Sequence, residues 1–200
     1  MGTRNLTMVI SNKETKVAQY GQWDGYPSGQ GATALEFLLN NDLTEFQEKL
    51  NKVKFIDDKK QKEINKWLES IGCVNGYMDM DQSALYKEKY PFITRDNGAK
   101  VLQMIMDSEH LTLWLHDQSE FAADSLFCEW AYVIDLDKGY FEIYEGFNKK
   151  PLGKTQRFKY LDDKAENGYL PIRMVKKYDI NNLPTEEQFL KDFKENVEAE

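Results

Sequence analysis

Between Gly21 and Gly31 the sequence reads GQWDGYPSGQG and holds four of the chain's twelve glycines. A helix or strand interior does not tolerate that density, because glycine gives up more backbone freedom on ordering than any other residue. The residue types suit ligand binding instead. Ser28, Gly29 and Gly31 stand just before a helix-favouring stretch, where backbone N–H groups and the helix dipole favour a phosphate or carboxylate. Trp23 and Tyr26 can stack on a planar group such as a nucleobase, while Gln22 or Asp24 reads its polar edge. Arg4, on the neighbouring strand, adds a charge-assisted contact. The spacing matches neither the Walker loop nor the dinucleotide GxGxxG, so no cofactor is expected. The alternative is a loop crossing the sheet edge, with glycines making turns and aromatics filling the core.

A second group lies near Glu129. If residues 126–134 form one strand, Glu129 shares a face with Phe127, Ala131 and Val133, and a half-buried Glu129 or Asp135 acquires a raised pKa suited to acid–base work. A strand with one face in water gives the same pattern. His110 and His116, the only histidines, stand six residues apart with Asp117 beside the second, and offer a further acid–base pair. Asp79 and Asp81 begin like a calcium loop, but Ala84 stands where glycine is needed and Tyr90 where the bidentate glutamate belongs, so no metal is expected. Cys73 and Cys128 belong to no metal or disulfide pattern and read as buried thiols. No GxSxG elbow is present, and Ser28 is not a nucleophile of that kind.

The elements that must position these residues follow from periodicity. Leu6, Met8 and Ile10 alternate with Thr7, Val9 and Ser11, which predicts a strand with one buried face; Asn12–Thr15 reads as a turn, and Lys16–Tyr20 as the return strand. Helices are expected at Ala32–Leu39, after the Asp42/Glu45 capping signature with Phe46, Leu50 and Val53, and along Ile64, Trp67, Leu68 and Ile71 up to the Gly72 stop. Ser83–Tyr90 forms a short helix ended by Pro91, and Asp96 caps another bearing Val101, Leu102, Ile105 and Met106. From Leu111 the pattern turns to strands, with Leu113 and Leu115 alternating, a long run at Leu126–Ile134, and a tight Asp137-Lys138-Gly139 connection into Tyr140–Tyr144. Tyr169–Tyr178 adds a strand, and Thr185 with Gln188 caps a last helix carrying Phe189, Leu190, Phe193 and Val197. Strands at both ends with helices between predict one α+β domain on an antiparallel or mixed sheet.

Composition limits the partners. The 200 residues carry 41% hydrophobic and 13% aromatic side chains, enough for a core. No run approaches the length that spans a bilayer, and no signal-type segment opens the chain, which reads as cytoplasmic without a membrane partner. A net charge of −8 opposes the basic face that phosphate-backbone binding needs, so direct nucleic-acid binding is not expected.

The blocks MGTRNLTMVI, KVAQYGQWDGYPSGQG and FCEWAYVIDLDKGYFEIYEGF resemble a family of short, standalone, largely uncharacterised proteins of phages and bacteria, with fungal relatives. The likeness covers residues 1–39 and 126–146. It implies that Thr3, Arg4, Asn5, Gln22, Trp23, Asp24, Gly25, Tyr26, Gly29 and Gly31 belong to the family's signature block. For a phage protein it also implies a counter-defence role, in which a nucleotide signal of host immunity is sequestered or degraded. The opening strand and loop also resemble N-terminal-nucleophile hydrolases, with the departure that Gly2 carries no nucleophile and Thr3 comes one residue late.

Three functions remain open on the sequence. The chain binds an anionic, nucleotide-like small molecule; it hydrolyses such a molecule with Asp24 or Glu129 as general base; or its acidic, aromatic surface inhibits a host protein.

Overall fold

The computed structural model describes residues 2–165 and 167–194. Asn12 and Lys13 are both left-handed, with φ of 57° and 63°, and close a two-residue turn between β1 (Asn5–Ser11) and β2 (Glu14–Gly21). That is the backbone hand which matches strand twist. The turn is tighter than the four residues expected, and Thr15 pairs with Ile10.

The chain then forms α1 (Ala32–Asn40), α2 (Leu43–Leu50), the short β3 (Val53–Phe55), α3 (Asp58–Ser70), α4 (Met80–Lys89), α5 (Lys100–Met106) and β4 (Leu113–Leu115). It returns to the main sheet as β5 (Trp130–Asp135), β6 (Tyr140–Glu145) and β7 (Arg173–Asp179), and ends in α6 (Glu186–Lys194). The sheet order is β2-β1-β5-β6-β7, with β1 parallel to β5 and the other pairs antiparallel. β3 and β4 make a separate parallel pair. The fold is α+β, on a mixed sheet that includes the N-terminal hairpin.

Both faces of the sheet are covered. Val9, Val17, Tyr132, Ile134, Phe141 and Ile143 meet α1, α2, α5 and α6. Leu6, Met8, Ala18, Ala131, Val133 and Tyr144 lie under 3-10 segments at Ser119–Ala123 and Arg157–Lys164. Hence β1 is buried on both sides, Thr7 and Val9 included, where alternation predicted one wet face. Fully burying an aliphatic or aromatic side chain of this size contributes about 1.5–3 kcal/mol.

Other local expectations also meet tertiary context. Asp42 caps α2 through the amides of Thr44 and Glu45, but Val53 leaves the helical stripe to pair with Leu113. Asp79 forms a reciprocal capping box with Gln82, so its carboxylate serves a helix start. Asp96 caps nothing: α5 begins four residues later without a side-chain cap, and Asp96 pairs with Lys87 at 3.0 Å. Thr185 and Gln188 do bond reciprocally at α6; Val197 lies outside the described residues. Among the described residues, no helix is long and apolar enough to cross a membrane.

Candidate functional site

The Gly-rich segment leaves β2 at the sheet edge and is fastened along its length. Gln22 N–H donates to the Arg95 carbonyl at 3.0 Å, and Asn5 Nδ2 reaches the carbonyls of Gly21 and Trp23 at 3.2 and 3.3 Å. Asp24 turns the chain with φ 55°, after which Gly25 N–H donates to the Thr3 carbonyl at 2.9 Å. Pro27–Gly31 forms one wide helical turn that runs directly into α1. A Cβ on Gly29 would stand 2.2 Å from the Asp24 carbonyl oxygen, so this close approach requires glycine.

The glycines are thus explained by packing. Gly29 and Gly31 amides donate to the Tyr26 carbonyl and the Gln30 amide to that of Asp24, which turns these hydrogens inward instead of toward an anion. Gln30, which the sequence offered no reason to single out, is the clamp: its Nε2 reaches the Trp23 carbonyl at 3.2 Å, and its Oε1 accepts the Ala99 amide at 2.6 Å. Its polarity within a run of small residues is the only signal that could have marked it.

The aromatic residues of the segment stay at the surface. Trp23 is 50% and Tyr26 55% exposed, so neither ring serves as core. Ser28 and Asp24 are also exposed. Lys87, with Trp23 and Arg95 in support, holds the Asp96 carboxyl below the usual carboxylate range against a smaller opposing effect of burial. A hollow of about 210 Å³ lies further along α1, between Thr33, Phe37, Asn40 and Gln103, and neither Trp23 nor Tyr26 lines it.

Arg4 stands at the centre of the neighbouring ledge. Because Asn5 pairs with Gly21 on one side and Trp130 on the other, Arg4 falls between Gln22 and Glu129. Its backbone exchanges bonds with Glu129: Arg4 N–H donates to Glu129 Oε1 and Glu129 N–H to the Arg4 carbonyl, both at 3.2 Å. The guanidinium carbon sits 4.3 Å from the centroid of the Phe127 ring, which is 38% exposed. Arg4 Nε is buried and has no hydrogen-bond partner. Among the described residues no carboxylate forms an ion pair with this guanidinium.

Tyr20, on the same ledge, donates its hydroxyl to Gln22 Oε1 at 2.6 Å and packs edge-on against Phe121 at 5.0 Å. Burial pushes the Tyr20 phenol above its ordinary pKa, while Arg4 and Arg95 pull it back. Those two cations therefore bear on one small region of an acidic protein.

The acid–base candidates separate. The chain turns at Asp124–Cys128 before β5 starts at Trp130, so Glu129 is not part of a strand shared with Phe127, and Cys128 joins the cluster of Ala131 and Val133. The Asp135 expectation is corrected. Burial raises its carboxyl, but Arg157 Nη2 at 2.5 Å from Oδ2 and the Lys138 amide outweigh burial and hold it below the usual range. Arg157 also binds Glu142 Oε2 through Nε at 2.8 Å, and Tyr144 donates to the same oxygen at 2.7 Å. This is a satisfied structural network. His110 is exposed, whereas burial lowers the pKa of half-buried His116. Thr3 is buried, with its carbonyl held by Gly25. Cys73 and Cys128 are free and buried. No cluster of metal-ligating side chains occurs among the described residues.

Comparison with protein-family models, with curated proteins and with solved structures finds no match to this chain.

Proposed function

We propose that the protein binds an anionic, nucleotide-like small molecule on the ledge formed by Arg4, Tyr20 and Gln22, with Trp23 and Tyr26 supplying flat surface beside it. The observation that carries this reading is the Arg4 guanidinium, held against Phe127 with no hydrogen-bond partner at its buried Nε and no ion-pair partner among the described residues. Bonds from its other guanidinium N–H groups to an incoming phosphate or carboxylate oxygen are charge-assisted and strong, and no ion pair among the described residues competes for them. The anion contact thus belongs to Arg4, while the glycines shape the segment that carries Trp23. Glu129 is engaged by the Arg4 amide and serves as part of the frame, which ranks hydrolysis below binding. In the counter-defence setting that the resemblance implies, such a binder withdraws a nucleotide signal without altering it.

Calorimetry with a panel of mononucleotides and cyclic dinucleotides tests the reading. At least one ligand binds, and Arg4→Gln weakens it roughly tenfold to a hundredfold, the worth of a charge-assisted hydrogen bond. No heat from any member of the panel, with the fold intact, ends the proposal. Mass spectrometry of the recovered ligand separates a binder from a hydrolase.

One observation favours a second reading, in which the protein docks a host protein. Val74, Tyr77 and Met80 are 67%, 84% and 89% exposed at the tip between α3 and α4, and α4 buries no residue. Acidic Glu69, Asp79 and Asp81 flank this apolar tip, which suits an apolar groove with a basic rim. Native mass spectrometry of protein purified from its host is the test. A stoichiometric partner that is lost with Tyr77→Ser/Met80→Ser supports docking; recovery of the chain alone abandons it.

A further inference from the structure

Away from Arg4, the ends of α3 and α4 build a second cationic feature. Trp67, Tyr86 and Tyr90 form an aromatic cluster, with Trp67–Tyr90 centroids at 5.4 Å and Tyr86–Tyr90 at 5.6 Å. The Lys60 ammonium lies over two rings, 5.2 Å from the Trp114 centroid and 5.9 Å from that of Tyr90. The Lys89 ammonium lies 5.5 Å from the Trp67 centroid. Between them is a hollow of about 90 Å³ whose lining includes Lys89, Tyr90, Phe92, His110, Thr112 and Trp114.

Charge in this hollow is one-sided: its lining includes Lys89 and no carboxylate, and Glu109, next to His110, pairs with Lys49 at 3.4 Å. Lys89 has no ion-pair partner among the described residues. A cationic guest is disfavoured, because the Lys60 and Lys89 ammoniums already hold positive charge beside these rings. The donors that remain, Lys89 Nζ, the His110 ring and the Thr112 hydroxyl, suit an oxyanion. The volume accepts a phosphate or carboxylate group and excludes a whole nucleoside, which needs several hundred Å³.

We propose that this hollow is a second binding site, for a small oxyanion carried on a flat apolar group, with the oxyanion at Lys89, His110 and Thr112 and the flat group against Trp114 and Tyr90. It is separate from the Arg4 ledge and does not depend on it.

The test is a titration of ¹⁵N-labelled protein with phenyl phosphate, benzoate, inorganic phosphate and tetramethylammonium, read at the Trp114 indole N–H. Phenyl phosphate or benzoate moves this resonance saturably and binds more tightly than inorganic phosphate, while tetramethylammonium has no effect. Lys89→Gln, an exposed substitution whose unchanged amide spectrum reports an intact fold, weakens that binding roughly tenfold. Arg4→Gln leaves it unaltered, which distinguishes this site from the ledge. Absence of a saturable shift, equal affinity in Lys89→Gln, or preference for tetramethylammonium overturns the proposal.

Discussion

Tyr132, in the centre of β5, donates its hydroxyl to the carbonyl of Gly25 at 2.7 Å and so ties the middle strand to the Gly-rich segment. The same ring leaves no room above it: a Cβ on Gly31 would stand 2.7 Å from the ring edge. Two substitutions probe one contact from opposite sides. Tyr132→Phe leaves the Gly25 carbonyl without this donor and lowers unfolding free energy by about 1–2 kcal/mol. Gly31→Ala forces the ring or the turn to shift, at about 1–3 kcal/mol. Chemical denaturation measures both, and wild-type stability in Gly31→Ala contradicts the packing described.

The Asp135–Arg157–Glu142 network predicts a pH-dependent cost. Asp135 and Glu142 are 1% and 7% exposed, so Arg157→Met takes the guanidinium from two buried carboxylates, leaving Lys138 to Asp135 and the Tyr144 hydroxyl to Glu142, and destabilises the protein by about 3 kcal/mol at neutral pH. The sign follows from linkage. With Arg157 present, the depressed Asp135 pKa gives stability that is complete above the unfolded-state value and is lost as pH falls through the folded-state value. Without Arg157 only the smaller influence of Lys138 remains to favour the carboxylate, so the gap between wild type and variant narrows as pH drops below the ordinary aspartate pKa. Urea midpoints at neutral and acidic pH check this; a pH-independent gap refutes it.

Cys128 makes a simpler prediction. Its side chain is fully buried, and burial, with Asp124 and Glu129 adding to it, pushes the thiol well above its ordinary pKa. Thiolate is the reactive form, so Cys128 resists an aromatic disulfide reagent in native protein and reacts after urea is added. Fast native labelling at Cys128, located by peptide mapping, contradicts this burial.

Local signals carried much of the architecture. The pairing of β1 with β2 as a hairpin, the Asp42 and Thr185 caps, the Gly72 stop and the Gly139 connection are decided within a few residues, and the sequence displays them, though not that the hairpin turn is only two residues long. What it could not display is which surfaces other elements cover. Thr7 looks like a wet-face residue and is buried because α-helices lie on one face of β1 and 3-10 segments on the other. Residues 126–129 are as apolar as a strand, but the Asp124 carbonyl captures the amides of Phe127 and Cys128 and turns the chain. At the candidate site the sequence marked Arg4, Trp23 and Tyr26. It did not show that the neighbouring amides bond inward, nor that Gln30 clamps the segment, since both depend on partners distant along the chain.

Tyr20 tests the electrostatics of the ledge without a ligand. Its phenol is raised by burial and restrained by the positive charges of Arg4 and Arg95, because a nearby cation favours the phenolate. Arg4→Gln removes the larger of these opposing influences while keeping a polar side chain, so the Tyr20 pKa rises further above its ordinary value. Arg95→Gln acts in the same direction and to a smaller extent. Glu129→Gln moves it little, since Glu129 is not among the charges that bear on this phenol. The ring-carbon resonance of Tyr20, followed by NMR through alkaline pH in each variant, separates it from the other ten tyrosines. A Tyr20 titration unchanged in Arg4→Gln removes the guanidinium from the ledge, and with it the charge on which anion recognition there depends.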